Sequence, residues 1–243
     1  MNHVEGRCEM ADITTAIHWW LCENCTEHKD VFKPIDSLLG HFFSCANSLH
    51  TILAESSLPH VKGHSARISS SGKRGIYIIN QLLPRDFFHL RGILALVGDI
   101  ADIVKKIKQL SYKLDNNKLS SLLESHLPNM KKYRYARNYF AHFDERISGN
   151  MKKHGVTGEL EVPELGIKFT KGAEACFYLG FIGDTLYYHD RQLDESKPSP
   201  KTLCLNKKDI SDIFDLVKDL YNLFTSHTMH AESYPPSNVY DLD

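Results

Sequence analysis

No apolar run in this 243-residue chain is long enough to cross a membrane. Stretches such as Ile93–Val97 fall far short of the roughly 18–20 residues that a spanning helix needs. There is no overall excess of charge of one sign, since 29 Lys and Arg face 30 Asp and Glu. There is no internal repeat. Cysteine is sparse at six residues, and the start MNHVEGRCEM lacks the apolar core of a signal peptide. The expectation is reduced thiols in a cytoplasmic protein, with no membrane partner. What is present, 42% hydrophobic and 24% charged residues, excludes a disordered chain, a collagen-like repeat and a disulfide-rich miniprotein. A chain of this length can bury a core without a metal or disulfide.

The neutral total conceals a pattern. Residues 61–154 carry 18 basic and 7 acidic side chains, whereas residues 1–60 carry 3 and 8 and residues 209–243 carry 1 and 7. A basic middle flanked by acidic ends has two readings. It attracts an anionic partner, of which nucleic-acid phosphate is the commonest. Alternatively, the acidic ends fold over it and neutralise it.

Periodicity organises the rest. Ala11–His28 predicts a helix, with Ile13, Ile17, Trp20 and Leu21 at three- and four-residue spacings. Pro34 suits the first turn of a second helix, through Ile35 to Leu53. Residues 56–75 are rich in Ser, Gly and basic side chains and predict a loop. Pro84 and Asp86 mark the start of a third helix, which Asp115-Asn116-Asn117 breaks. A short helix through Leu119–Ser125 is expected next. Pro128 then opens a separate one to about Ile147, where Gly149 and Asn150 stop it.

Beyond Gly155 the period changes to two. Leu160–Val162, Gly166–Phe169 and Cys176–Ile182 read as strands, and Gly183-Asp184 as a turn into Thr185–His189. Asp190–Ser199 reads as a loop, and Ile210 to Phe224 as a last amphipathic helix. The expected fold class is mainly α. It is a helical bundle over residues 1–230, with a small antiparallel β-hairpin insertion at about 155–206 before the last helix. Residues 231–243 read as a flexible acidic tail.

One helix carries a motif. On a helical wheel, Met130, Tyr133, Ala136, Phe140, Phe143 and Ile147 share an apolar arc. Arg134, Asn138, His142 and Glu145 ladder down the polar face, and Arg137 lies on the border. Asn138 and His142, four apart, are neighbours on that face. His transfers protons near neutral pH, and a guanidinium stabilises charge growing on phosphate oxygens. The competing reading of Arg137 is a salt bridge to Asp144 or to a neighbouring helix, and of His142 a plain hydrogen bond.

The string Arg137-Asn138-Tyr139-Phe140-Ala141-His142 resembles the Arg-x4–6-His signature of the HEPN superfamily (higher eukaryotes and prokaryotes nucleotide-binding). A polar residue directly after the Arg, here Asn138, is the preferred form. The wider string ARNYFAHFDERI, late in a helical pattern, is similar to that region of bacterial members. The resemblance implies a HEPN-like bundle that pairs as a homodimer, with two motif helices facing one cleft. It implies a metal-independent endoribonuclease of toxin or phage-defence type, with no cofactor. Arg137, Asn138 and His142 would be catalytic, and Arg134 and Arg146 would contact RNA phosphates. It also implies an antitoxin or nucleotidyltransferase as a protein partner. Other members are non-catalytic binding or regulatory modules, and that alternative stays open.

Four other features compete for attention. Cys22 and Cys25 form a CxxC with His18 and His28 nearby, and Cys8, His41 and Cys45 are further donors. A zinc site needs four ligands, usually as two pairs, and no second CxxC follows. Two small core thiols are the plainer reading. Ser70–Gly75 contains a Gly-Lys but lacks P-loop spacing and reads as a solvated basic loop. Asp99 and Asp102, three apart, either bind a cation or simply face solvent. Tyr187 and Tyr188 suit base stacking, or packing against the last helix.

Overall fold

The computed structural model describes residues 5–55, 66–70, 75–80, 84–141, 160–162, 167–169, 176–178, 181–182, 185–190, 199–206 and 209–226. The predicted turn at Gly183-Asp184, the helix stop at Gly149-Asn150 and the tail at 231–243 lie outside them. The described chain is mainly helical, with small sheets before the last helix. Its helices are α1 (Glu5–Asn24), α2 (Lys29–Glu55), α3 (Pro84–Ser111), α4 (Lys118–Ala141) and α5 (Ser211–Thr225). No helix among the described residues is long and apolar enough to cross a membrane.

The chain groups into two compact units. The first comprises Met1–His50, Asp99–Lys131 and Ser211–Asp243, and the regular elements of its described part are all helices. Its core is the expected apolar stripe of each helix. Ile13, Ile17, Trp20 and Leu21 are buried on α1, and Ile35, Leu39, Phe42, Phe43 and Leu49 on α2. Ile100, Val104 and Ile107 are buried on α3, and Ile213, Val217, Leu220 and Phe224 on α5. Trp20 meets Phe224 edge to face, with ring centroids 5.4 Å apart.

α1 stops where Asn24 Nδ2 donates to the Trp20 carbonyl at 2.7 Å. That end lies at Asn24 rather than at the expected His28, and α2 starts at Lys29, ahead of the expected Pro34. Asp30 in the first turn favours this start, since a carboxylate offsets the exposed N–H groups there. Pro34 therefore sits inside α2 and forgoes one backbone bond. The Asp115-Asn116-Asn117 break is as expected. Asn116 Oδ1 accepts from Lys118 N at 3.0 Å and so caps α4. The short helix and the separate helix expected on either side of Pro128 are one helix, with Pro128 inside it. Burial of Leu119, Leu123 and Met130, on both sides of the proline, holds the two turns in line.

Two turns clasp in this unit. Asp115 N donates to the Asn24 carbonyl at 3.0 Å, and the Asp115 carboxylate accepts from Thr26 N and Thr26 Oγ1 at 2.7 and 2.6 Å. Those Thr26 bonds hold the Asp115 carboxyl below the ordinary carboxylate range. A depressed folded pKa stabilises the fold above the unfolded value, and that contribution is lost as pH falls through the folded pKa. Asp115→Asn should therefore lower the thermal midpoint at neutral pH. The gap to wild type should hold from about pH 7 down to about pH 4 and shrink below it, as melts across that range would record.

The charge pattern resolves in part here. Asp30, from the acidic N-terminal segment, pairs with Lys113 at 3.2 Å. Asp219, from the acidic C-terminal segment, hydrogen-bonds His126 at 2.8 Å. Lys108 pairs with Glu124 at 2.9 Å. Some of the basic middle is thus met by the acidic ends.

The second unit comprises Thr51–Gly98 and Lys132–Ile210. It holds the described strands β1 (Ala66–Ser70), β2 (Gly75–Asn80), β3 (Leu160–Val162), β4 (Ile167–Phe169), β5 (Cys176–Tyr178), β6 (Phe181–Ile182), β7 (Thr185–Asp190) and β8 (Ser199–Cys204). They form three small sheets, ordered β1-β2-β5, β3-β4 and β6-β7-β8.

The loop expected over 56–75 is corrected by β1 and the start of β2, which pair antiparallel with Ser70 opposite Ile76. β2 pairs in parallel with the distant β5, Ile76 opposite Phe177. The single strand expected over Cys176–Ile182 is two strands in different sheets. β8 begins at Ser199, the end of the expected polar loop, and lies antiparallel to β7. The buried pair Leu186 and Leu203 faces across that ladder.

Candidate functional site

The motif helix is α4, and its C-terminal turns, Lys132–Ala141, belong to the second unit. Tyr133 and Ala136 are fully buried, as the wheel predicts, and Tyr139 joins them. Phe140 is only half-buried. This stretch is seated at three places: the Asp209 carbonyl, Tyr188 and Gly98. Tyr133 Oη donates to the Asp209 carbonyl at 3.0 Å, and Lys132 Nζ donates to the same oxygen at 3.2 Å. The Tyr139 and Tyr188 rings lie 6.2 Å apart, with Tyr188 Oη 3.5 Å from the Lys132 carbonyl.

Tyr188 is thus buried on α4. Its burial argues against base stacking by this residue. The side chain of Tyr187 lies outside the described residues.

The third seat is at Arg137. Helix α3 passes so closely that a Cβ built on Gly98 would lie 2.6 Å from both Cβ and Cγ of Arg137, and 3.0 Å from its Nε. Arg137 is half-buried and its Nε is fully buried. Asn138, the next residue, is exposed, and Arg134, one turn earlier, is half-buried. A held arginine and a solvent-facing amide therefore sit side by side on α4. His142 and Arg146 lie outside the described residues, as does Asp144, the expected ion-pair partner of Arg137. Gly98 is the residue that sequence reasoning missed. The signal was present, because a glycine inside a buried helical stripe often marks a close approach of backbone.

The other candidates separate. Cys22 is exposed and Cys25 buried. Cys25 Sγ donates to the His28 carbonyl at 2.9 Å. Burial, with Asp115 and Asp30 nearby, pushes its thiol pKa up and disfavours the thiolate that a metal would bind. His18 packs edge to face on Phe32, ring centroids 5.1 Å apart. His41 is exposed, while Cys45 is buried, and burial raises its thiol pKa too. Among the described residues no three His, Cys, Asp or Glu side chains gather to hold a metal ion. Asp99 is exposed and Asp102 half-buried on α3. Ser70 and Gly75 end β1 and begin β2, while the basic residues Lys73 and Arg74 between them lie outside the described residues. No family model matches the chain, and neither a curated protein nor a solved structure matches it.

Proposed function

We propose that the chain is a HEPN-like endoribonuclease that cleaves RNA without a metal, as a homodimer inside the cell, in a toxin or phage-defence role. Arg137, Asn138 and His142 form its site, and Arg134 and Arg146 add phosphate contacts. The observation that supports this reading is the arrangement on α4. The Arg137 stem is held against α3 with its Nε buried, and Asn138 beside it meets solvent. A guanidinium fixed before substrate arrives stabilises transition-state charge without reorganising.

In the reaction, His142 takes the proton of a ribose 2′-OH, and that oxygen attacks its own phosphorus. The P–O5′ bond breaks, and the leaving oxygen takes a proton from the partner's His142. The products are a 2′,3′-cyclic phosphate and a 5′-OH. Arg137 meets the charge on the non-bridging oxygens, and Asn138 orients the His or the phosphate.

The test incubates wild type, Arg137→Ala and His142→Ala with total RNA and purified tRNA in EDTA. Folding of each variant is checked by its melt. Wild type should leave cyclic-phosphate ends, and each variant should lose about 100-fold in rate or more. Equal cleavage by all three would place the activity elsewhere. Absence of cleavage with retained RNA binding would leave the non-catalytic RNA- or nucleotide-binding dimer as the function.

A further inference from the structure

We infer that Gly98 of α3 is a positioning residue for Arg137: its missing side chain is the seat that aims the guanidinium. This rests on the reading of Arg137 as the arginine that meets the scissile phosphate. α3 carries two glycines and α2 carries one, and they are not alike. A Cβ at Gly40 on α2 would meet nothing within 4 Å, and one at Gly92 on α3 would touch only Ile52 Cδ1, at 3.6 Å. At Gly98 the nearest atoms are the root of Arg137 itself.

Their position decides the consequence. Arg137 Cβ is fixed to the α4 backbone, so no rotation of the side chain removes a contact of 2.6 Å. Ordinary carbon–carbon contact is about 3.5–4.0 Å, so relief requires a retreat of about 1 Å. Nε, at 3.0 Å, must move as well, and it is the buried atom from which the guanidinium extends. A shift of about 1 Å in a catalytic group costs as much as 100-fold in rate. Gly98 touches no substrate in this account, and it acts only through the direction of Arg137.

The experiment is a double-mutant cycle on the full chain, with Gly98→Ala, Arg137→Lys and the pair, and Gly92→Ala as the control. Gly98→Ala should fold, keep its KM and lose about 10- to 100-fold in kcat. The pair should be no slower than Arg137→Lys alone, even though its melt falls by the same step that Gly98→Ala causes in wild type. Gly92→Ala should cleave as wild type does. Full activity in Gly98→Ala, or losses that multiply in the pair, would overturn the inference.

A second readout needs no activity, only variants whose melts show that they fold. The Nε–H of Arg137, assigned by its loss in Arg137→Lys, should exchange with solvent more slowly in wild type than those of exposed arginines such as Arg91. If wild type fails to cleave RNA, the nuclease reading falls, and slow exchange that is lost in Gly98→Ala still establishes the seat. Fast exchange in wild type would overturn it.

Discussion

Trp20→Ala should lower the unfolding free energy of the chain by about 3–5 kcal/mol, the range for removing a large buried aromatic. Trp20 is 1% exposed on α1 and lies edge to face with Phe224 of α5. Both helices place their apolar stripe on this contact, so the void left by alanine opens between two elements that each depend on the other for burial. Helices of this length are marginal alone in water and gain most of their stability from such packing.

A second substitution separates volume from polarity. Trp20 Nε1 is buried and has no hydrogen-bond partner among the described residues. An unpaired buried donor costs about 1–3 kcal/mol. Trp20→Phe removes that donor along with part of the ring, so its loss should be well below that of alanine, near 1 kcal/mol. Urea melts of the three proteins would show it. A phenylalanine as damaging as alanine would mean that the indole nitrogen is satisfied in solution.

The elements that the sequence makes legible are those whose signal is local. Pro84 opens α3 as expected, and the Asp115–Asn117 turn ends its run, because a first-turn proline and an asparagine cap act within a few residues. The buried stripes of α1 and α5 follow from period alone.

Proline misled twice for one reason. Pro34 and Pro128 each read as a helix start, yet packed apolar residues lie on both sides of each and hold the helix through the lost bond. Strand β1 was illegible for the opposite reason. ARISS shows no hydrophobic alternation, and the third strand of that sheet lies about 100 residues on, at β5. The seat of Arg137 was half legible. Gly98 stands out within Leu96-Val97-Gly98, but which residue it approaches depends on where α4 passes.

Tyr133 offers the matching test in the second unit. It is fully buried on α4, one turn before Arg137, and Tyr133→Ala should cost about 3–5 kcal/mol, as for Trp20. Its hydroxyl adds little to that figure. Tyr133 Oη donates to the Asp209 carbonyl, and a lone neutral bond of this kind contributes about 0.5–1.5 kcal/mol. Lys132 Nζ reaches the same oxygen at 3.2 Å, so Asp209 keeps a donor when the hydroxyl is gone. Tyr133→Phe should therefore fall at the low end, near 0.5 kcal/mol. The contrast between the two variants reads out what holds this turn of α4: the buried ring volume, or the polar tie to the Asp209 carbonyl. If Tyr133→Phe proves as costly as Tyr133→Ala in thermal melts, the tie to Asp209 governs. Lys132→Met should then be as damaging, since it strips the second donor from that carbonyl.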